Sequence, residues 1–158
     1  MGKAKAMVSA CLVGINCRYD GKSQLRPELV ECLRDYQLIP FCPEYLGELP
    51  TPRLPSEICN GDGAAVLAGA ALVLNRQGDD WTPYFIKGAE ATLRLYQEVR
   101  PDLIVFKAKS PSCGVGQIYD GTFTGKLRSG DGVTAALLRQ KGACLYSETD
   151  ILQNKPEK

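Results

Sequence analysis

Chemistry in this chain has to be found among its cysteines. There are seven, Cys11, Cys17, Cys32, Cys42, Cys59, Cys113 and Cys144, and no histidine. The lack of histidine removes Ser-His-Asp and Cys-His catalysis, zinc sites with imidazole ligands, and histidine as a general base. No Cys-x-x-Cys pair occurs, so neither a zinc ribbon nor a thioredoxin motif is present. Three cysteines have turn-forming neighbours: Cys11 in Ser9-Ala10-Cys11-Leu12-Val13-Gly14, Cys42 in Cys42-Pro43-Glu44, and Cys113 in Ser110-Pro111-Ser112-Cys113-Gly114. Such loops can point backbone N–H groups at a thiolate or a bound sulfur. A free cysteine is also a small apolar group, commonly buried. That is the reading for Cys32, inside a predicted helix, and for Cys144, on a predicted strand; Cys59 carries no clear signal. Cys17 shares the first loop with Cys11 and competes as a fourth ligand. On residue type and spacing alone, metal binding, an activated thiolate and plain burial all stay open.

The elements that must position these residues are legible in part. Met7–Ala10, Leu38–Phe41 and Leu103–Phe106 are short apolar runs that predict buried strands. Pro27 suits a first helical turn, with Leu29, Val30 and Leu33 on one face. Thr82-Pro83 predicts a capped helix start, continued by Phe85, Ile86, Ala89, Leu93, Tyr96 and Val99 and ended by Pro101. Val133–Gln140 predicts a helix closed by Gly142, and Cys144–Tyr146 a last strand. Pro43 to Pro55 reads as loop. Ala64–Leu67 and Ala71–Leu74 read as paired short strands about Gly69. The tail from Gln153 is polar and expected to fray.

Helices alternating with apolar strands predict an α/β fold: one domain over residues 1–158, with a small, mostly parallel sheet flanked by helices, a Rossmann-like half. Ligands in such sheets bind outside the carboxyl ends of the strands. Cys11 and Cys42 directly follow predicted strands, and Cys113 lies a few residues beyond a third. The three are expected to meet at that edge.

Other signatures fail. Gly121-Thr122-Phe123-Thr124-Gly125-Lys126 is one residue short of a phosphate loop, and Leu127 stands where Ser or Thr would bind magnesium. Gly114-Val115-Gly116 lacks the third glycine of a dinucleotide fingerprint. Tyr19-Asp20-Gly21 and Tyr119-Asp120-Gly121 echo each other and read as two Asp-Gly turns. A net charge of +1 over 158 residues argues against a long nucleic-acid contact or an anionic membrane surface. No run approaches the roughly 20 apolar residues of a membrane span, and Met7–Leu12 is too short for a signal peptide. A cytoplasmic protein with reduced thiols is expected.

In order, the chain carries Ser9-Ala10-Cys11-Leu12, Arg18-Tyr19-Asp20-Gly21, Cys42-Pro43-Glu44, Thr51-Pro52-Arg53, Phe85 with Gly88-Ala89, Ser110-Pro111-Ser112-Cys113-Gly114, Ile118-Tyr119-Asp120-Gly121-Thr122-Phe123 and Gly130-Asp131-Gly132-Val133-Thr134-Ala135. From about Met7 to Glu148 this string resembles the thiouracil desulfurase family. The resemblance implies a [4Fe–4S] cluster held by Cys11, Cys42 and Cys113, with the fourth iron open, and Glu44 and Ser110 as catalytic residues. It implies a small-molecule thiolated nucleobase as substrate and hydrolytic C–S cleavage releasing sulfide. Asp20, Thr51, Arg53 and Ser112 are then candidates for holding the pyrimidine edge, against turn stabilisation as the plainer role. Glu48 stands where the family often has a second glycine after Gly47. Two rival functions remain: a cluster-free sulfurtransferase with a persulfide on Cys113, and a cysteine-based metal-binding sensor module.

Overall fold

The structure, a computed structural model of the chain, describes residues 2–153. Its strands are β1 (Ala4–Ser9), β2 (Tyr36–Phe41), β3 (Ser56–Cys59), β4 (Leu72–Asn75), β5 (Leu103–Phe106), β6 (Gln117–Tyr119), β7 (Leu127–Ser129) and β8 (Tyr146–Ser147). Its helices are α1 (Pro27–Cys32), α2 (Pro43–Leu46), α3 (Gly63–Leu67), α4 (Thr82–Val99), α5 (Val133–Gln140) and α6 (Glu148–Gln153), with a 3-10 turn at Ala10–Val13. The polar tail beyond Gln153 lies outside the described residues.

β2, β1, β5 and β8 form, in that spatial order, a four-stranded sheet in which every pair is parallel. Successive side chains of a strand face opposite sides, and here each side meets its own helices. Ala6, Val8, Leu103 and Val105 join Leu29 of α1, Leu33 just beyond its end and Ile151 from α6 in one core. Met7, Ile104, Phe106 and Phe41 join Ala135 and Leu138 of α5, with Leu93 and Tyr96 of α4, in a second. Burial on both faces is why these strands read as unbroken apolar runs. The predicted α/β fold with a parallel sheet flanked by helices is what forms.

A third core lies beyond α4 and α5. Ile58, Val73 and Ile118 pack there against Phe85, Ala89 and Val133. It is covered by two antiparallel ribbons, β3 with β4 and β6 with β7. Sequence patterning missed both pairings. Ala64–Leu67 is helical rather than extended, because Asp62 caps it by accepting from the Ala65 N–H at 3.0 Å. Leu72–Asn75 is a strand, but its partner is Ser56–Cys59. Within the proline-rich stretch expected to be loop, Pro43–Leu46 makes one helical turn with proline at its start. Thr82 does not cap α4; Trp81 holds that position and the Thr82 hydroxyl accepts from the Val73 N–H, tying α4 to β4. The last strand begins at Tyr146, beyond Cys144. Among the described residues no helix is long and apolar enough to cross a membrane.

Candidate metal centre and active site

In spatial order β2-β1-β5, chain direction of growth reverses between β1 and β5, the switch point where parallel sheets open a crevice. Three connections converge there. Cys11 sits in the 3-10 turn that follows β1 directly. Cys42 is the extended residue between β2 and α2. Cys113 lies in the loop after β5, where the Ser110 hydroxyl accepts from the Cys113 N–H at 2.7 Å. That loop is docked on the start of α5: Pro111 and Ser112 carbonyls accept from the N–H groups of Val133, Thr134 and Ala135. The approach is so close that a Cβ on Gly132 would lie 2.5 Å from the Ser112 carbonyl carbon.

Cys11, Cys42 and Cys113 line one cavity of about 570 Å³, and Cys17 lines it too. The thiol of Cys17 interacts with those of Cys11 and Cys42. Hydrogen bonding with Cys11 is the main reason its pKa is pushed up to about 11. The Cys42 thiol is pushed far up by Cys17, by burial and by the Glu44 carboxylate. Cys113 is raised by burial first and by Glu44 second. These thiols hold their protons because they face one another and an anion; a cationic core bound among them would reverse that balance. No three described cysteine or acidic side chains converge tightly enough to chelate one ion. A cuboidal cluster spreads its thiolate ligands over several irons, so the donor set fits a cluster better than a single zinc.

Glu44 stands in the first turn of α2 and reaches the same cavity. Its position depends on α2 lying hard against α4. A Cβ on Gly88 would fall 2.0 Å from the Pro43 carbonyl oxygen, and one on Gly47 2.1 Å from that of Tyr84. Glu48, where a second glycine was noted as usual, adopts φ +70° and pairs with Lys87 at 2.6 Å in solvent. The Glu44 carboxylate accepts from the Ser112 hydroxyl through one oxygen and from the Cys42 thiol at 3.5 Å through the other. Ser110 and Ser112 hydroxyls are 3.4 Å apart. Ser110 faces the cavity, whereas Ser112 is buried behind its wall.

The four residues expected to hold a pyrimidine edge therefore divide. Arg53 lines the cavity, and its guanidinium donates to the carbonyls of Cys17 (3.1 Å) and Pro50 (3.2 Å). Ser112 spends its proton on Glu44. Thr51 is an exposed acceptor for Arg53, off the cavity wall. Asp20 accepts from the Lys22 N–H at 3.0 Å, the expected Asp-Gly turn, and pairs with Arg18. Asp120 makes the same turn with the Thr122 N–H. Cys32, Cys59 and Cys144 lie away from the cavity lining.

The sequence reading missed the far wall, made by Ser56, Glu57, Arg76, Tyr119 and Phe123, and the cations Lys107 and Lys109 that also line the cavity. Phe123 belonged to a motif already noted, but the ribbon that carries it did not register. A switch-point cavity lined by four thiols, two carboxylates and several hydroxyls defines an α/β protein equipped for soft-ligand and proton-transfer chemistry.

The chain belongs to the 2-thiouracil desulfurase family, whose profile matches residues 6–150. It is 42% identical over 145 residues to an uncharacterised protein, YbbK, of Bacillus subtilis (strain 168), covering 92% of this chain and 96% of that one. Among solved structures it resembles a [4Fe–4S]-dependent thiouracil desulfidase, TudS, at 37% identity and a TM-score of 0.79, covering 96% and 95% of the two chains.

Proposed function

We propose that this protein is a [4Fe–4S]-dependent, non-redox desulfurase of thiolated pyrimidine bases, the 2-thiouracil and 4-thiouracil class. The observation that carries the reading is the meeting of Cys11, Cys42 and Cys113 with Glu44 in one cavity. Family membership and the likeness to the desulfidase TudS support it. Cys11, Cys42 and Cys113 would hold a [4Fe–4S] cluster, which would supply a soft Lewis acid suited to a thiocarbonyl sulfur.

The chain's own groups then handle water and protons. A carboxylate has about four acceptor positions, so the two bonds made by Glu44 leave room for a water. A ligating Cys42 has lost its proton, and Oε2 of Glu44 is then free to take one. Ser112 keeps Oε1 fixed, and its single proton is committed there. In the contact between the serines Ser110 is therefore the donor, which links a hydroxyl on the cavity wall to the general base. In balance, the C–S bond breaks, a C–O bond forms, and both protons of water leave with the sulfur as hydrogen sulfide. No electrons are exchanged.

The sulfurtransferase alternative has less support, because the family profile and the likeness to a [4Fe–4S]-dependent desulfidase both favour a cluster enzyme. Anaerobic reconstitution followed by iron and sulfide analysis and a sulfide-release assay on 2-thiouracil and 4-thiouracil decides the matter. About four irons per chain are expected, with catalytic sulfide release. A colourless, iron-free protein that still desulfurates would overturn the cluster. An iron-loaded protein that releases no sulfide would leave a binding module.

A further inference from the structure

The far wall of the cavity holds an aromatic ring on a backbone that such a residue rarely adopts. Phe123 has φ +57° at the tip of the β6–β7 ribbon, and it lines the same cavity as the cysteines. A left-handed conformation at a bulky residue is uncommon and needs surrounding structure to impose it. That structure is present. Oε1 of Glu57, on β3, accepts from the N–H groups of Gly121 (2.9 Å) and Phe123 (3.1 Å). Glu57 is only 9% exposed, and a single oxygen of its carboxylate serves both donors. Gly121 fits against β3 only without a side chain, since a Cβ would lie 2.6 Å from the Ile58 carbonyl oxygen. The Cys59 thiol donates to the Gly121 carbonyl at 3.6 Å. The guanidinium of Arg76 rests 5.6 Å from the Phe123 ring centre and steadies it further.

A buried carboxylate, a glycine chosen for contact and a cation all act to aim one half-buried ring. Nothing in the core requires it: Phe123 joins none of the three apolar clusters. We infer that Phe123 is a specificity-determining residue, offering its ring as a plane against the substrate's heterocycle, and that Glu57 is the positioning residue that holds it there. The inference rests on the proposed action on a thiolated base. Aromatic rings bind flat heterocycles through dispersion and offset stacking, with little dependence on the ring's own hydrogen bonds. Phe123 therefore selects for a planar ring, while the sulfur end of the cavity selects for the thiocarbonyl.

The test uses the iron-loaded protein and its substitutions, with 2-thiouracil as substrate and uracil, the sulfur-free product, as binding probe. Phe123→Leu is expected to weaken uracil binding about tenfold, with the loss in turnover falling mainly on KM. Phe123→Tyr keeps the plane and is expected to stay within about twofold of the parent. Phe123→Gly separates this role from folding. Glycine is at ease at that φ, so the fold is kept or gains stability while the ring is lost; uracil binding must fall as it does for leucine. Glu57→Ala should raise KM comparably, and adding it to Phe123→Leu should change little more, because both act on one ring. Unchanged uracil binding in an active Phe123→Leu enzyme would overturn the inference, as would full additivity of the two substitutions. If the parent itself neither releases sulfide nor binds uracil, the proposed function fails first, and the two failures are distinguishable.

Discussion

On one wall of the cavity, functional side chains hang from the ends of buried parallel strands. On the other they hang from short antiparallel ribbons whose outer faces are wet: β7 is exposed at all three residues, and β6 buries only Ile118. The thiol wall is fixed by a large two-sided core, so Cys11 and Cys42 are placed by strand register and short turns, and Cys113 by a loop hydrogen-bonded onto the start of α5. The ribbon wall is fixed by discrete polar links, above all Glu57 to Gly121 and Phe123. Packed strands and helices anchor the first wall, and a single buried carboxylate ties down the second. The division suits the reaction proposed: a reacting centre gains from rigidity, while a face that receives and releases a ring can tolerate adjustment.

The largest effects are expected on the thiol wall. Cys11→Ser, Cys42→Ser and Cys113→Ser should each abolish stable iron loading, read by iron analysis and visible absorption after anaerobic reconstitution. Glu44→Ala should leave iron content intact and lower kcat by about 100- to 10,000-fold, the usual worth of a positioned acid–base group. Loss of iron in Glu44→Ala would make that carboxylate part of the scaffold instead, and would blur the contrast between anchoring and reacting groups.

A smaller effect tests whether this wall owes its precision to its scaffold. Gly88→Ala introduces a methyl 2.0 Å from the Pro43 carbonyl oxygen, at the seam between α2 and α4. Overpacking of this kind costs about 1–3 kcal/mol, which lowers Tm by roughly 2–4 °C per kcal/mol in a chain of this size. Because α2 carries Glu44, kcat should fall further than stability alone explains, while iron content is retained. A variant that loses stability but keeps full turnover would show that Glu44 does not depend on the seam.

The same contrast explains what could be read from the sequence. β5 and α5 were legible to the residue because Leu103–Phe106 is uniformly apolar and Val133–Gln140 ends in a glycine stop at Gly142. Both report burial in a large core. β3 was not legible, since Ser56-Glu57-Ile58-Cys59 offers one aliphatic residue, and its most informative member is a buried acid. Nor was α3, although Asp62 followed by Gly63-Ala64-Ala65 carries a cap and strong helix formers. Three thiols were traced to one edge because strands announce where they end. The far wall escaped because its order comes from pairings between distant segments, Glu57 with Gly121 for one, which no local pattern encodes.

Cys17 provides the finest test of what is anchor and what is neighbour. Its thiol interacts with those of Cys11 and Cys42 and lines the same cavity, which makes it a competing ligand. Its loop, however, is also held through its backbone groups. The Cys17 carbonyl accepts from Arg53 at 3.1 Å, the Ile15 carbonyl accepts from the Cys17 N–H at 2.9 Å, and the Arg53 N–H donates to the Tyr19 carbonyl at 2.7 Å. Exchanging sulfur for oxygen touches none of these bonds. Cys17→Ser is therefore expected to load the same iron as the parent, at a stability cost of about 1–3 kcal/mol for a hydroxyl placed in a buried apolar cluster. Retained iron with retained sulfide release would assign one iron to substrate rather than to a fourth cysteine. Loss of iron in Cys17→Ser would mean that all four thiols are ligands, and water activation by Glu44 would then have no open metal position beside it.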